Sequence, residues 1–212
     1  KAMAASYGVA LIEVLTGFKY IGEQIHLLEQ AGEQERFIFG FEESCGYLSG
    51  EYVRDKDAQN AAVLIAGMAA ACKKQGRTLA DALEELYRTF GYYKTRTISF
   101  SFEGLSGARV MADKMAAFRR QAPAQLAGRA IVGTADYQTG IRRSAALGTE
   151  TPIGLPKSDI IEWDLAGGGR VIVRPSGTEP KIKVYLMAAE PSEEQSKALI
   201  DALEKELTGE MA

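Results

Sequence analysis

The segment Arg174-Pro175-Ser176-Gly177-Thr178-Glu179-Pro180-Lys181-Ile182-Lys183 holds the residue types best suited to chemistry. Arg174 offers a planar fork of donors, Ser176 and Thr178 offer hydroxyls, and Gly177 lets backbone amides come close to a ligand. Lys183 stands two residues beyond Lys181, so on an extended outgoing strand both project from one face. Such a ring of donors suits a phosphate dianion. A Pro/Gly-rich turn decorated with solvated charge accounts for the same letters. What tilts the reading toward anion binding is that Arg174, Ser176 and Thr178 are all donors.

Glu42-Glu43-Ser44 is a second candidate. Adjacent carboxylates repel, so a pair at the end of a buried strand is costly unless each finds a partner. Carboxylate acceptors beside a hydroxyl are also what a polyol such as a sugar requires. On composition alone, a helix cap or surface charge cluster is the simpler account. Thr16-Gly17-Phe18-Lys19 carries less by itself: a strand-to-helix turn with one lysine. His26, the sole histidine, reads as a surface or packing residue on a helix, and Cys72 as inert core. Cys45 has no histidine positioned to activate it. Trp163 reads as core, and Asp55-Lys56-Asp57 as a helix N-terminus rather than a metal site.

The elements that must position these residues fall into two textures. Val9–Leu15 is a compact apolar run consistent with a buried strand, Phe18 to Gln30 has helical spacing, and Arg36–Phe41 is a second apolar run. Strand, helix, strand suggests a parallel βαβ unit, with Lys19 and Glu42 at one edge of its sheet. Helices follow over about 58–74 and 78–89, the second opened by Thr78-Leu79-Ala80-Asp81 with Leu79, Ala82, Leu83 and Leu86 inward. Beyond Gly91-Tyr92-Tyr93 come alternating strands near 95–102, 130–134, 160–163, 170–173 and 181–188. Helices near 106–120 and from Ser192 to the end accompany them. The expectation is an α/β unit over 1–92 with a βαβ-type mixed sheet. An α+β unit over 93–212 follows, its antiparallel sheet carrying helices on one side.

Composition excludes several classes. The 25 basic and 28 acidic residues leave a net charge of −3, which argues against nucleic-acid and membrane partners. Two cysteines make no disulfide framework, and the longest apolar run, Ala61 to Cys72, is well short of a membrane span of ~20 residues. Without a leader peptide the expected location is cytoplasmic. The opening Lys1-Ala2-Met3-Ala4-Ala5 has a mid-helix pattern, so the chain reads as part of something longer.

Together, Thr16–Lys19, Gly40–Ser44, Arg54–Asp57 and Arg174–Lys181 resemble, in order and along essentially the whole chain, the α-D-phosphohexomutases, the phosphoglucomutase and phosphomannomutase family. The bacterial phosphoglucomutase branch is the nearest in appearance, and these residues would be its third domain, incomplete at the start, and its fourth. The resemblance implies interconversion of hexose 1-phosphate and hexose 6-phosphate through a hexose 1,6-bisphosphate. It implies sugar-hydroxyl ligands at Glu42 and Ser44, with Glu43 the variable middle position and Lys19 facing the cleft. It implies a phosphate clamp of Arg174, Ser176, Gly177, Thr178 and Lys183. Family members carry a phosphoserine in the first domain and a Mg²⁺ loop of three aspartates in the second, and neither motif occurs here. The chain is therefore expected to hold no catalytic or metal residue, to need the N-terminal domains of its own protein, and to be inactive alone. Other sugar phosphates (mannose, pentose or amino sugar) and a non-catalytic phosphosugar-binding module are the alternatives. Glu42-Glu43-Ser44 leans toward gluco or manno substrates.

Overall fold

A computed structural model describes residues 1–42, 45–104 and 106–211, residues 210 and 211 through their backbone alone; 43, 44, 105 and 212 lie outside the described residues. The chain divides into two units, Lys1–Leu86 and Tyr87–Ala212.

The first unit is helical with one small hairpin. Helix α1 (Ala2–Ser6) is short, and α2 (Phe18–Gln30) starts at Gly17, whose φ of 122° is one that side chains rarely adopt. Phe18 and Ile25 bury the face that the helical spacing predicts, against Leu48. His26 is exposed and bonded to Glu29 and Gln30 of its own helix, as expected of a surface residue. A 3₁₀ turn, Gln34–Arg36, leads to β1 (Gly40–Phe41) and β2 (Tyr47–Leu48), which pair antiparallel.

The expected strand over Val9–Leu15 does not form, and no parallel pair occurs among the described residues. A strand needs a ladder partner, and this run has none among the described residues; Val9, Leu11 and Ile12 stay 40%, 46% and 59% exposed. The run instead faces the Arg36–Phe41 segment across a cleft of about 150 Å³.

Helix α3 (Ala58–Lys74) is capped by Asp57, which accepts from the amides of Gln59 (2.8 Å) and Asn60 (3.1 Å). Helix α4 (Leu79–Phe90) opens with a reciprocal box: Thr78 N donates to Asp81 (2.8 Å), and Asp81 N to the Thr78 hydroxyl (3.1 Å). The local signals hold, but the expected inward stripe does not: no α4 residue is buried, and Leu83 and Leu86 are exposed. Cys72 is likewise half-buried rather than core, because α3 buries none of its residues.

The second unit is built on one antiparallel sheet. It comprises β3 (Tyr92–Ser101), β5 (Arg129–Asp136), β6 (Ile141–Ser144), β7 (Thr149–Pro152), β8 (Ile161–Leu165), β9 (Gly169–Pro175) and β10 (Lys181–Glu190), with β4 (Gln125–Leu126) paired to β5. The order is β3-β10-β9-β8-β5-β6-β7. Helices α5 (Gly107–Arg120) and α6 (Glu193–Met211) cover one face. There Met115, Leu199, Ile200, Leu203 and Leu207 meet Trp163, Val171, Val173, Ile182, Val184 and Leu186. Ser192 caps α6 by accepting from Gln195 N (3.2 Å), and buried Ser196 donates to the Tyr92 carbonyl of β3. Within the predicted α6 stripe, Ala202 is the exception and is exposed.

The other face of the sheet is polar. Glu162, 2% exposed, accepts from Tyr137 (3.0 Å) and pairs with Arg142 (2.6 Å). Asp164 pairs with Arg142 (2.6 Å) and Arg170 (2.8 Å). Burial, then the Glu162 charge, push the Tyr137 hydroxyl up to about 12.

Candidate functional site

The donor loop spans Ser176–Pro180, between β9 and β10. Ser176 N donates to Lys181 O (2.8 Å) and Lys181 N to Glu179 O (2.8 Å), while the Ser176 hydroxyl accepts from Thr178 N (3.4 Å). Among the described residues, no acceptor faces the amides of Gly177 and Glu179. Gly177 has an ordinary φ and open space around it, so glycine supplies room for an approaching ligand rather than backbone freedom.

Below the loop, Arg174 and Lys183 are direct partners in the β9–β10 ladder. Their neighbours Val173 and Val184 are buried under the helices, so the two cations stand together on the open face. Like charges directly opposite each other destabilise a sheet by roughly 0.2–1 kcal/mol. No carboxylate lies within 4.0 Å of either cation among the described residues. Lys181 is taken by Glu179 (3.0 Å), and Glu162 and Asp164 by Arg142 and Arg170. The arrangement leaves two opposed cations, a free hydroxyl proton on Ser176, the Thr178 hydroxyl and two free amides beside one another. An anion relieves that repulsion and satisfies those donors.

In the first unit, Glu42 lies at the end of β1. Its amide donates to Gly46 O (3.0 Å), and its carboxylate, only 11% exposed, sits 4.0 Å from Lys56 Nζ. Lys56 was not foreseen from sequence as a neighbour of Glu42. Asp57 N donates to Tyr47 O (2.8 Å), which pins the 55–57 segment onto β2 and brings Lys56 over both Glu42 and the Phe18 ring (5.8 Å). The Tyr52 hydroxyl, 2.7 Å away, and then the Asn60 and Gln59 amides hold the Asp57 carboxyl below its usual range. Lys19 is exposed, with Nζ 4.8 Å over the Tyr20 ring, and makes no contact with Glu42 among the described residues. Glu43 and Ser44 lie outside the described residues. Cys45 is exposed, with a φ of 64° in the hairpin turn. No group of three or more His, Cys, Asp or Glu is placed to hold a metal among the described residues.

Gly46 fixes how close Glu42 can come. A Cβ there would fall 2.5 Å from Glu42 Oε1 and 2.9 Å from Lys56 Cδ. Gly46→Ala is therefore expected to displace the Glu42 carboxylate from Lys56 and to destabilise the hairpin by about 1–3 kcal/mol. Thermal unfolding checks the cost, and the side-chain NMR shifts of Glu42 and Lys56 check the displacement. An unchanged midpoint and unchanged Glu42 and Lys56 side-chain shifts would contradict it.

Comparison with known proteins follows the same division. A family model described as phosphoglucomutase/phosphomannomutase, alpha/beta/alpha domain III, matches residues 1–90, and one described as phosphoglucomutase/phosphomannomutase, C-terminal domain, matches 110–206. The chain belongs to the phosphoglucomutase/phosphomannomutase family. It is 38% identical over 186 residues to a phosphoglucomutase of Staphylococcus epidermidis RP62A (88% of this chain, 33% of that protein). It is 40% identical over 186 residues to one of Staphylococcus haemolyticus JCSC1435 (88% and 33%), and 38% over 203 residues to one of Staphylococcus aureus RF122 (96% and 36%). The chain spans about a third of the length of these curated relatives.

Proposed function

We propose that this chain supplies sugar and phosphate recognition to a phosphoglucomutase-type enzyme that interconverts hexose 1-phosphate and hexose 6-phosphate. The observation that carries the reading is the unpaired Arg174–Lys183 rung beside the donor-rich 176–180 loop. Arg174, Lys183, Ser176, Thr178 and the amide of Gly177 grip one phosphate without reference to which sugar carbon bears it. Glu42 accepts from sugar hydroxyls, with Lys56 as its counter-ion, and Ser44 and Lys19 complete the sugar contacts. Because the grip ignores the carbon, a sugar bisphosphate can turn over in the site. A phosphorylated enzyme gives its phosphoryl group to the second hydroxyl, and the bisphosphate then returns its other phosphoryl group, so the enzyme ends as it began.

The phosphoryl donor and the Mg²⁺ that would neutralise developing charge belong, in this reading, to the rest of the protein. Among the described residues, no cluster of His, Cys, Asp or Glu is offered for that ion. The bare apolar surfaces of the first unit, at Val9, Leu11, Ile12, Val63 and Ile65, support its packing against further sequence of the same polypeptide. No helix of the described residues is long and apolar enough to cross a membrane.

Coupled assay of glucose 6-phosphate tests the assignment. The longer protein containing this chain is expected to turn over glucose 1-phosphate and the purified chain to give none. Product from the chain alone would overturn the division of labour. A preference of the longer protein for mannose 1-phosphate would move the assignment to the phosphomannomutases.

A further inference from the structure

The cationic rung has a third member on the neighbouring strand. Ser99 of β3 is the ladder partner of Lys183, which is itself the partner of Arg174. The residues next to them, Ile98, Val184 and Val173, turn into the core, so Ser99, Lys183 and Arg174 stand in one row on the open face. Side chains directly opposite in antiparallel strands have Cβ atoms about 4.5–5.5 Å apart. One step nearer the loop, Ser101 is opposite Lys181. Neither serine hydroxyl has a partner among the described residues, and both residues are exposed.

The register of this row is tied to the loop. Phe102 N donates to Pro180 O (2.9 Å), which carries the β3–β10 pairing one residue past the strand and onto the last residue of the loop. The loop donors and the β3 hydroxyls therefore share one rigid frame. A phosphate oxygen held between Lys183 and Arg174 lies within reach of a hydroxyl on the Lys183 side. Ser99 is the ladder neighbour that offers a neutral hydroxyl on that side.

We propose that the anion seat extends from the loop onto the sheet, with Ser99 donating its hydroxyl proton to a phosphate oxygen bridged by Lys183 and Arg174, and Ser101 lining the rim. The inference rests on the phosphate-binding reading of the loop and adds a residue to it. A hydroxyl both donates and accepts, so Ser99 serves the phosphate dianion and also the monoanion, whose P–OH needs an acceptor. The two cations can serve only the first need.

The test is a titration of the chain with inorganic phosphate, followed by amide NMR shifts, for the wild type, Ser99→Ala, Ser99→Thr and Arg174→Ala. Ser99→Ala is expected to weaken binding by about three- to tenfold, the range for one ordinary solvent-exposed hydrogen bond. Ser99→Thr, which keeps the hydroxyl on a strand-favouring residue, is expected to restore it. Equal thermal midpoints show that exposure of Ser99 keeps the fold out of the comparison. Ser99→Ala binding within twofold of wild type, while Arg174→Ala loses binding, overturns the role of Ser99 and leaves the loop reading intact. Unchanged binding in Arg174→Ala, or no saturable shift in the wild type, overturns both.

Discussion

Arg174→Ala is expected to lower the affinity of the chain for inorganic phosphate at least tenfold, and at the same time to leave the second unit as stable as before or more so. The first effect follows from losing a bidentate, permanently charged donor pair, worth about 1.5–3 kcal/mol to an anionic acceptor. The second follows from the ladder: Arg174 opposes Lys183 with no carboxylate within 4.0 Å among the described residues, so removing one charge relieves a repulsion of up to ~1 kcal/mol. Arg174→Lys keeps the charge and loses the planar fork, so its affinity should fall between the two. Phosphate titration and thermal unfolding on the same samples check the pair of expectations. A variant that loses stability as well as binding would make Arg174 a structural residue, and unchanged binding would remove it from the clamp. Opposite signs for binding and stability are what a functional strain produces.

What was legible in the sequence was local. The reciprocal box at Thr78/Asp81 and the caps at Asp57 and Ser192 need only residues two or three apart and form; of the expected Ser192/Gln195 box, the half in which Ser192 accepts from Gln195 N is present. The period-two alternation of 95–102 and 181–188 marks β3 and β10, because one face of each is buried whatever their partners are. The hairpin joining β8 and β9 announced itself through Gly167 and Gly168, whose φ values of 83° and 105° suit glycine. Pairing was less legible. Val9–Leu15 has the composition of a buried strand, but apolar letters cannot supply the neighbour whose amides it would bond. Strands β6 and β7 escaped notice because Ile141–Ser144 and Thr149–Pro152 bury nothing and so show no alternation.

The candidate site divides the same way. The loop donors were readable as types, but the opposition of Arg174 to Lys183 depends on register across the turn. Lys56 looked like one charge among three beside a helix. Its place next to Glu42 is set by the Asp57–Tyr47 backbone bond, an interaction between segments that no spacing rule reaches. The Glu162–Asp164–Arg142–Arg170 cluster was invisible for the same reason, since one of its arginines stands on the unforeseen β6.

Trp163→Ala is expected to destabilise the second unit by about 3–5 kcal/mol, the usual cost of emptying a buried aromatic site. Trp163 is 0% exposed on β8, in the middle of the sheet, and meets Phe118 of α5 edge-on at 5.4 Å, so it couples the sheet to a covering helix. A loss of that size is a large share of the 5–15 kcal/mol that holds a typical domain. One feature pulls the other way: the indole N–H is buried without an acceptor among the described residues, a cost the tryptophan imposes on its own site. Trp163→Phe keeps most of the ring and removes that donor, so it should retain more than half of the stability lost in Trp163→Ala. Denaturant unfolding orders the three proteins, and hydrogen exchange at β8, β9, β10 and α6 should accelerate together, because their buried residues share one cluster. Val173 and Val184, the neighbours of Arg174 and Lys183, belong to that cluster, so the core that Trp163 fills is also the floor of the proposed anion seat. A loss below about 1 kcal/mol for Trp163→Ala would mean that the cluster closes around the gap, and the rung would then owe its rigidity to the ladder alone.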